Sequence, residues 1–424
     1  MSSAFPAPSV IQHTNTSIAN LRLITNLPAG RQVCYNQFMD NIDELLTRGV
    51  ANIIPGKSEL EKLLKSRKKL NVYLGIDPTA IKIHLGHTVG LRKLQAFAGL
   101  GHNVTFLIGD FTALIGDTSD KDAERPNLTS KEIEENFQTY KKQAEKVLDF
   151  SKVKVRYNSE WLKKLSYEEI LKLNQHFSAN DFLSRELIKK RLTEGKRIGL
   201  HEFSYPVMQG YDSYFMDTDI QIGGTDQTFN MQAGRTLQKD LRHKESFVLA
   251  TPILEGPDGR KMSKSYGNAI WLDDNPNDMY AKAMAINDDL IIQYFTLATN
   301  LPLDKILDYE KRLKTENPIN IKKELAHLIV NELHDKKSAD EAQSNFEKTV
   351  QNKELPDEIE TLNATILSDL VDTDIIPSRS ELKRLIEQGG IKINDKTTEN
   401  IDAQLKEGDV LKVGKRRVVK ISAK

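Results

Sequence analysis

The sequence predicts an α/β chain, with a doubly wound parallel sheet first, an all-helical stretch behind it and a small α+β unit last. Three observations carry that prediction. Apolar runs at Leu70–Ile76 and Asn103–Ile108, each ended by turn residues, have the near-continuous hydrophobicity of strands covered on both faces. Between them, His87–Leu100 spaces Val89, Leu91, Leu94 and Phe97 along one face of a helix, which makes a strand–helix–strand unit. After Trp271 the periodicity is helical only, until a basic, alternating segment sets in beyond Ile375.

The elements follow in order. Residues 1–37 read as a poorly ordered extension, rich in Ser, Thr and Asn. A weak organelle-targeting signal is the other reading, but Arg22 and Arg31 are few and Pro6, Pro8 and Pro28 interrupt any amphipathic helix. The first domain, residues 38–272, opens near Phe38 with Ile42, Leu45 and Leu46 at helical spacing. Long helical stretches are expected at Ser130–Phe150 and Ser166–Thr193, the latter as an insertion. A third strand, Asp219–Ile222, runs into Gly223-Gly224 and a helix whose first turn holds Thr225 and Asp226. That alternation is Rossmann-like, and places a ligand at the strand C-termini. Helices at Pro276–Ile286, Leu303–Leu313 and Ile319–Leu333 make up residues 273–355, and a charged stretch around Lys336–Asp357 leads into a third unit, 356–424.

A chain of 424 residues with 39% hydrophobic content is long enough for two or three cored domains. Acids and bases balance at 60 each, so any affinity for nucleic acid must come from local segregation of charge. The single Cys34 excludes an internal disulfide framework and a multi-cysteine zinc site, which points to a reducing, cytoplasmic location. No apolar run is long enough to predict a membrane span.

Two elements look built for phosphate. His84-Leu85-Gly86-His87 opens a helix directly after a strand, where backbone N–H groups, the helix dipole and two imidazoles converge, and Gly86 leaves room for a flat ring. Lys261-Met262-Ser263-Lys264-Ser265 offers two mobile cations and two hydroxyls beside Gly256 and Gly259. Taken singly, the histidines also read as a metal pair or as surface residues, and the loop as a solvated one. A third feature is a polar stripe, Tyr205, Gln209 and Asp212, at i, i+4 and i+7 on a helix with Ser204 near its cap and Pro206 in its first turn. Burying hydroxyl, amide and carboxylate together is costly without partners. A polar ligand would supply them, as would mutual hydrogen bonds; Tyr73 and Asp117 should converge on the same strand ends.

With these motifs the chain resembles the class I aminoacyl-tRNA synthetases. Within them it is similar to the tyrosyl-tRNA synthetases, through Tyr73-Leu74-Gly75-Ile76-Asp77-Pro78-Thr79-Ala80, Leu114-Ile115-Gly116-Asp117, Glu202-Phe203-Ser204-Tyr205, Gln209-Gly210-Tyr211-Asp212 and Gln221-Ile222-Gly223-Gly224-Thr225-Asp226-Gln227. The resemblance implies that Tyr73 and Asp212 hold the phenolic hydroxyl of L-tyrosine, while Asp117, Tyr205 and Gln209, with Gln227 near the carboxyl, hold its other end. Phenylalanine would leave Asp212 desolvated and unpaired. It further implies that Gly75, Asp77, Gly86, Gln221, Gly224, Asp226, Met262 and Ser263 contact ATP. Thr79, His84, His87, Lys121, Arg125, Lys261 and Lys264 would stabilise the departing pyrophosphate, with magnesium accompanying ATP as substrate and no metal held by the protein alone. Leu74 departs from the pattern, since many relatives carry a small polar residue there near the ribose.

The terminal unit resembles a small RNA-binding module, through Ser378–Asn394 and Gly408–Gly414, and its helix would offer Arg379, Lys383 and Arg384 to phosphates. Expected partners are therefore tyrosine tRNA, L-tyrosine and ATP, and the family adds a homodimer. The rival readings are the tryptophan-specific relative and a noncatalytic RNA-binding protein that keeps the fold.

Overall fold

Strands β2 (Asn71–Ile76) and β3 (Asn103–Ile108) pair in parallel along their whole length, from Asn71 opposite Asn103 to Ile76 opposite Ile108. They lie inside a six-stranded sheet of order β1-β6-β5-β2-β3-β4. The structure, a computed structural model, describes residues 41–117, 129–351, 360–373, 375–414 and 417–422. The extension 1–37, Cys34, Lys121 and Arg125 lie outside the described residues.

The remaining strands are β1 (Asn52–Ile54), β4 (Val153–Tyr157), β5 (Ile220–Gly224) and β6 (Phe247–Thr251). All neighbours run parallel except β1, which lies antiparallel against β6. Helix α1 (Leu85–Gly99) joins β2 to β3, α2 (Ser130–Ala144) precedes β4, α3 (Ser204–Phe215) precedes β5, and α4 (Thr228–Arg242) joins β5 to β6. The chain therefore leaves the centre in opposite directions on either side of the β5/β2 pair. Such a switch point opens a crevice at the carboxyl ends of the strands. Just past those ends stand Asp77, Gly109, Asn158 and Thr225–Gln227.

Several local features differ from expectation. Strands β1, β4 and β6 were not expected; β6, Phe-Val-Leu-Ala-Thr, is buried at every position and carries the same signal as β2, whereas β4 alternates as a sheet edge does. The stretch 166–193 forms three short helices, Tyr167–Asn174, Ala179–Leu183 and Glu186–Thr193, rather than one. Serine hydroxyls restart the chain there: Ser166 accepts from Glu169 N–H and Ser178 from Asn180 N–H. Ser204 is the first helical residue of α3 and not its cap, because the 3₁₀ turn Leu200–Phe203 already supplies helical backbone ahead of it. That turn is fixed by a buried ion pair. Arg191 donates to both oxygens of Glu202, at 2.6 and 3.0 Å, and Glu202 also accepts from Gly199 N–H at 2.8 Å.

The chain packs as two compact units, one running to Glu255 and including Thr296–Leu303, the other holding Gly256–Phe295 and the chain from Asp304 on. The Lys261–Ser265 stretch thus packs in the second unit. There, α5 (Pro276–Met284), α6 (Pro318–Leu333) and α7 (Lys336–Phe346) form a helical group, with Asn275, Asn317 and Asp335 as side-chain caps. The terminal module is a five-stranded sheet of order β7-β11-β10-β8-β9, in which β7 is Glu360–Asn363, β8 Ile391–Ile393, β9 Lys396–Thr397, β10 Val410–Val413 and β11 Arg417–Ser422. Its core, from Ala364 and Leu367 to Val419 and Ile421, is its own. Helix α8 (Arg379–Glu387) ends as its Gly-Gly pair predicts: Gly389, at φ +64°, and Gly390 donate back to Ile386 and Leu385 carbonyls in a Schellman motif. No helix among the described residues is long and apolar enough to cross a membrane.

Candidate active site

Helix α3 lies close enough to α4 that a Cβ on Gly210 would sit 3.1 Å from the Ala233 backbone. Asp212 is only 2% exposed. Asn158 Nδ2 donates to its Oδ2 at 3.1 Å, and Trp161 Nε1 to its Oδ1 at 2.7 Å. Burial raises its pKa to about 8, against the pull of these two donors and with a further push from the charges of Asp77 and Asp110. Tyr73, 3% exposed, stands near enough for the Asp212 charge to act on its phenol, whose pKa is raised mainly by burial and then by that charge.

Neither Asn158 nor Trp161 was singled out in the sequence. Asn158 also donates to Thr112 Oγ1 at 3.0 Å, and Thr112 donates to Asp77 Oδ1 at 2.8 Å. Tyr205 donates to the other Asp77 oxygen at 2.9 Å. A chain of hydrogen bonds therefore runs from Asp212 through Asn158, Thr112 and Asp77 to Tyr205, across the ends of three strands. Gly109 sits inside it with no space to spare: a Cβ there would lie 1.9 Å from Asp77 Oδ1 and 2.4 Å from Thr112 Oγ1. Asp77, expected at ATP, is thereby a holder of Tyr205 and Thr112.

On the opposite wall, Gln227 donates to Asp117 Oδ2 at 2.7 Å, and Asn230 to Asp117 Oδ1 at 3.4 Å and to Gln227 Oε1 at 3.0 Å. Asn230 is another residue that sequence reasoning missed. Gln209 is half-buried and its amide makes no hydrogen bond among the described residues, so it is available to a ligand. Gln221 corrects an expectation. It is 0% exposed, accepts from Tyr73 O–H at 3.1 Å and donates to Met231 O at 3.0 Å, so it braces Tyr73 from beneath instead of meeting a nucleotide. Gly234 makes room for it, since a Cβ there would come within 2.5 Å of the Gln221 amide.

The phosphate-side residues of the first unit cluster at the start of α1. His84 N–H donates to His87 Nδ1 at 3.2 Å, with the two rings 4.0 Å apart, so the Nε2 edge of His87 points away from the backbone. Gly86 must be small, as a Cβ would meet the His84 ring at 3.0 Å. Thr79 is half-buried in the turn after β2, its N–H bonded to Asp77 O at 2.8 Å. Gly75 is open, with only ordinary contacts to Tyr73 and Leu107, whereas Gly224 has the Asp226 carboxylate folded over it, 2.4 Å from where a Cβ would be. Leu74 packs on Gly90 of α1, which explains why an apolar residue suits that position.

In the second unit, Asn268 ties the lysine loop together: its amide donates to Asp258 at 2.7 Å and to Lys261 O at 3.2 Å, and its oxygen accepts from Ser263 N–H at 2.9 Å. Met262, expected at the nucleotide, is 1% exposed; its side chain anchors the loop in the core of the unit, so no side-chain contact with ATP is open to it. Lys264 is exposed and Lys261 half-buried. In the terminal module, Arg379, Lys383 and Arg384 are all exposed on α8, but Arg384 is engaged by Glu381, accepting at 2.5 and 2.8 Å.

Residues 65–351 match the family model described as tRNA synthetases class I (W and Y), and residues 370–411 match the S4 domain. A tyrosine–tRNA ligase of Carboxydothermus hydrogenoformans is 44% identical over 89% of this chain and 97% of its own length. One of Thermotoga maritima is 42% identical over 89% of this chain and 96% of its own. Among solved structures, a C-terminally truncated mitochondrial tyrosyl-tRNA synthetase of Aspergillus nidulans superposes with a TM-score of 0.61 at 23% identity, covering 72% of this chain and 92% of the other; it attests the fold.

Because Asp212 holds its proton to about pH 8 when folded and releases it near the ordinary 3.8 when unfolded, the stability it contributes is complete below pH 4 and is lost as pH rises towards 8. Asp212→Asn keeps the shape and removes the titration. Thermal unfolding without ligands should show the variant gaining on the wild type from pH 4 to pH 8 and level beyond; a constant difference across that range would refute the assignment.

Proposed function

The chain belongs to the class I tRNA synthetases, among the tyrosine–tRNA ligases, and on that premise we propose how its pocket selects and activates tyrosine. Asp212, buried beside Tyr73 and fed by Asn158 and Trp161, carries this reading. Its oxygens accept from both of these donors, and the ligand's hydroxyl adds a third donor that favours the ionised carboxylate. Tyr73, steadied by Gln221, contributes the partner hydroxyl. Asp117, Tyr205 and Gln209 receive the ammonium group, and Gln227 orients the carboxylate for attack.

The reaction needs no general base, since the tyrosine carboxylate is already ionised. It attacks the α-phosphorus of ATP in line, the bond to the bridging oxygen breaks, and pyrophosphate leaves with its magnesium. Gly75, Gly86, Gly224 and Asp226 are the proposed nucleotide contacts, and Gly75 is the open position among them. Thr79, in the turn after β2, and His84 and His87, at the α1 N-terminus, stabilise the charge that grows on the leaving group. Lys121, Arg125, Lys261, Lys264 and Ser263 take the same role from the family resemblance alone. In the second step a hydroxyl of the 3′-terminal ribose of the tRNA attacks the mixed anhydride and AMP departs. The S4-like module, through Arg379 and Lys383 ahead of the paired Arg384, is proposed to grip the tRNA by phosphates.

The tryptophan-specific reading gives way to relatives that are tyrosine–tRNA ligases at 44% and 42% identity. A homodimer is proposed as well, supported by the exposed Tyr167, Leu171, Leu183 and Leu192 of the helical insertion and by Leu200 in the 3₁₀ turn after it, which is 84% exposed. The proposed location is the cytoplasm, in keeping with one cysteine and no predicted span.

Tyrosine should drive ATP–pyrophosphate exchange, and tryptophan should not. Asp212→Ala should lower kcat/KM for tyrosine roughly 100-fold, the loss of a charge-assisted hydrogen bond of about 3 kcal/mol, with the KM for ATP little changed; an equal loss for both substrates would show the base of the pocket misassigned. Removal of residues 356–424 should spare exchange and abolish aminoacylation of tRNA, whereas loss of exchange in a folded truncation would contradict the division of labour. Sedimentation should give twice the mass of one chain, falling to a single chain in Leu200→Asp; a wild-type monomer would end the dimer proposal.

A further inference from the structure

A second cavity, of about 360 Å³, lies within the first unit between the helical residues 41–47, the later turns of α1 and residues 296–300. None of the residues proposed above to bind tyrosine or ATP lines it. Its apolar walls include Leu45 and Leu297, and its charged groups are Glu44, Arg48, Arg92 and Lys93. Cations outnumber carboxylates there, and the one carboxylate is already taken, since Arg48 Nη1 donates to Glu44 at 3.0 Å.

The two arginines build the wall. Arg48 donates to the carbonyls of Thr296, Thr299 and Leu301 at 3.0, 2.6 and 2.8 Å, and Arg92 donates to Ala298 O at 2.8 Å. Their N–H groups hold the 296–301 strip in place while their charge stays beside the cavity. Lys93 is different. It is 6% exposed, its ammonium donates to a single carbonyl, Leu45 O at 2.5 Å, and it forms no ion pair with a carboxylate among the described residues. A buried ammonium needs a counter-charge or loses its proton.

We propose that this cavity is a second ligand site, which takes a small oxyanion, carboxylate or phosphate, borne on a compact apolar group and paired with Lys93. The apolar walls would cover the body of the ligand, and the oxyanion would fill the place of the carboxylate that the protein does not provide. Burial lowers the Lys93 pKa to about 7, helped by the Arg48 charge and opposed by Glu44, with Arg92 a further cation on the same wall. An anion bound to the ammonium restores that proton, so binding takes up a proton and weakens as pH rises through 7.

The test uses the full-length protein saturated with L-tyrosine, titrated calorimetrically with isobutyrate and with isopropyl phosphate, which share a branched body and differ in the oxyanion. Binding of either at pH 6, about tenfold weaker at pH 8, is expected, and the stronger probe identifies the class. Lys93→Met should weaken it by about tenfold or more. Ala96→Leu, which narrows the cavity without touching charge, should do the same, while His84→Ala should leave it unchanged. Failure of both probes in the millimolar range, equal binding by Lys93→Met and wild type, or loss in His84→Ala, which would place the anion at the start of α1, overturns the proposal.

Discussion

A carboxylate that cannot reach water organises this pocket. Asp212 must be met by protein donors or stay protonated, and the fold answers with an asparagine at the end of β4 and an indole one turn later. The rest follows from those donors. Asn158 can reach Asp212 only if its remaining amide hydrogen has Thr112, Thr112 then turns to Asp77, and Asp77 in turn fixes Tyr205 on the same helix as Asp212. The indole is held on its far side: Phe215 stacks on it at 4.7 Å and the Arg156 guanidinium lies 4.8 Å from its centre. On the proposed reading, specificity for a phenol rests on this network, with the substrate hydroxyl as its final member.

Much of this was legible in the sequence wherever a local period or a short turn controls the outcome. The runs at Leu70–Ile76 and Asn103–Ile108 became the central strands because a buried parallel strand needs only a continuous apolar stretch. The stripe at Tyr205, Gln209 and Asp212 followed from helical spacing alone, and the Gly389-Gly390 stop from backbone geometry. What escaped was non-local. Asn158 and Trp161 stand 54 and 51 residues from Asp212, and no spacing rule links them. Gln221 carries the polar signature of a ligand contact, yet alternation along β5 turns it under Tyr73, where Gly234 admits it. Met262 sits between two lysines that invite a phosphate, but its own side chain is apolar and goes to the core. The insertion broke between its first and second helices where the Ser178 cap outcompeted the amphipathic pattern that spans them; the third helix starts after Arg185 without a side-chain cap.

The two lysines of the later loop, in the second unit, and the histidines of α1, in the first, are held by different mechanics. The histidines are set by backbone, one ring nitrogen committed to the turn that starts a helix. In the lysine loop side chains do the holding: Asn268 bonds at once to Asp258, to the Lys261 carbonyl and to Ser263 N–H, and Met262 is buried.

Gly109 shows how far such a network extends its demands. The residue is not among the proposed substrate contacts, yet its missing side chain is the space that Asp77 and Thr112 occupy. Redesign of the pocket for a different amino acid is therefore not a matter of the lining alone. A library that diversifies only ligand-facing positions inherits an intact scaffold, whereas one that lets this glycine drift would score its failures as poor recognition when their origin is steric displacement behind the wall.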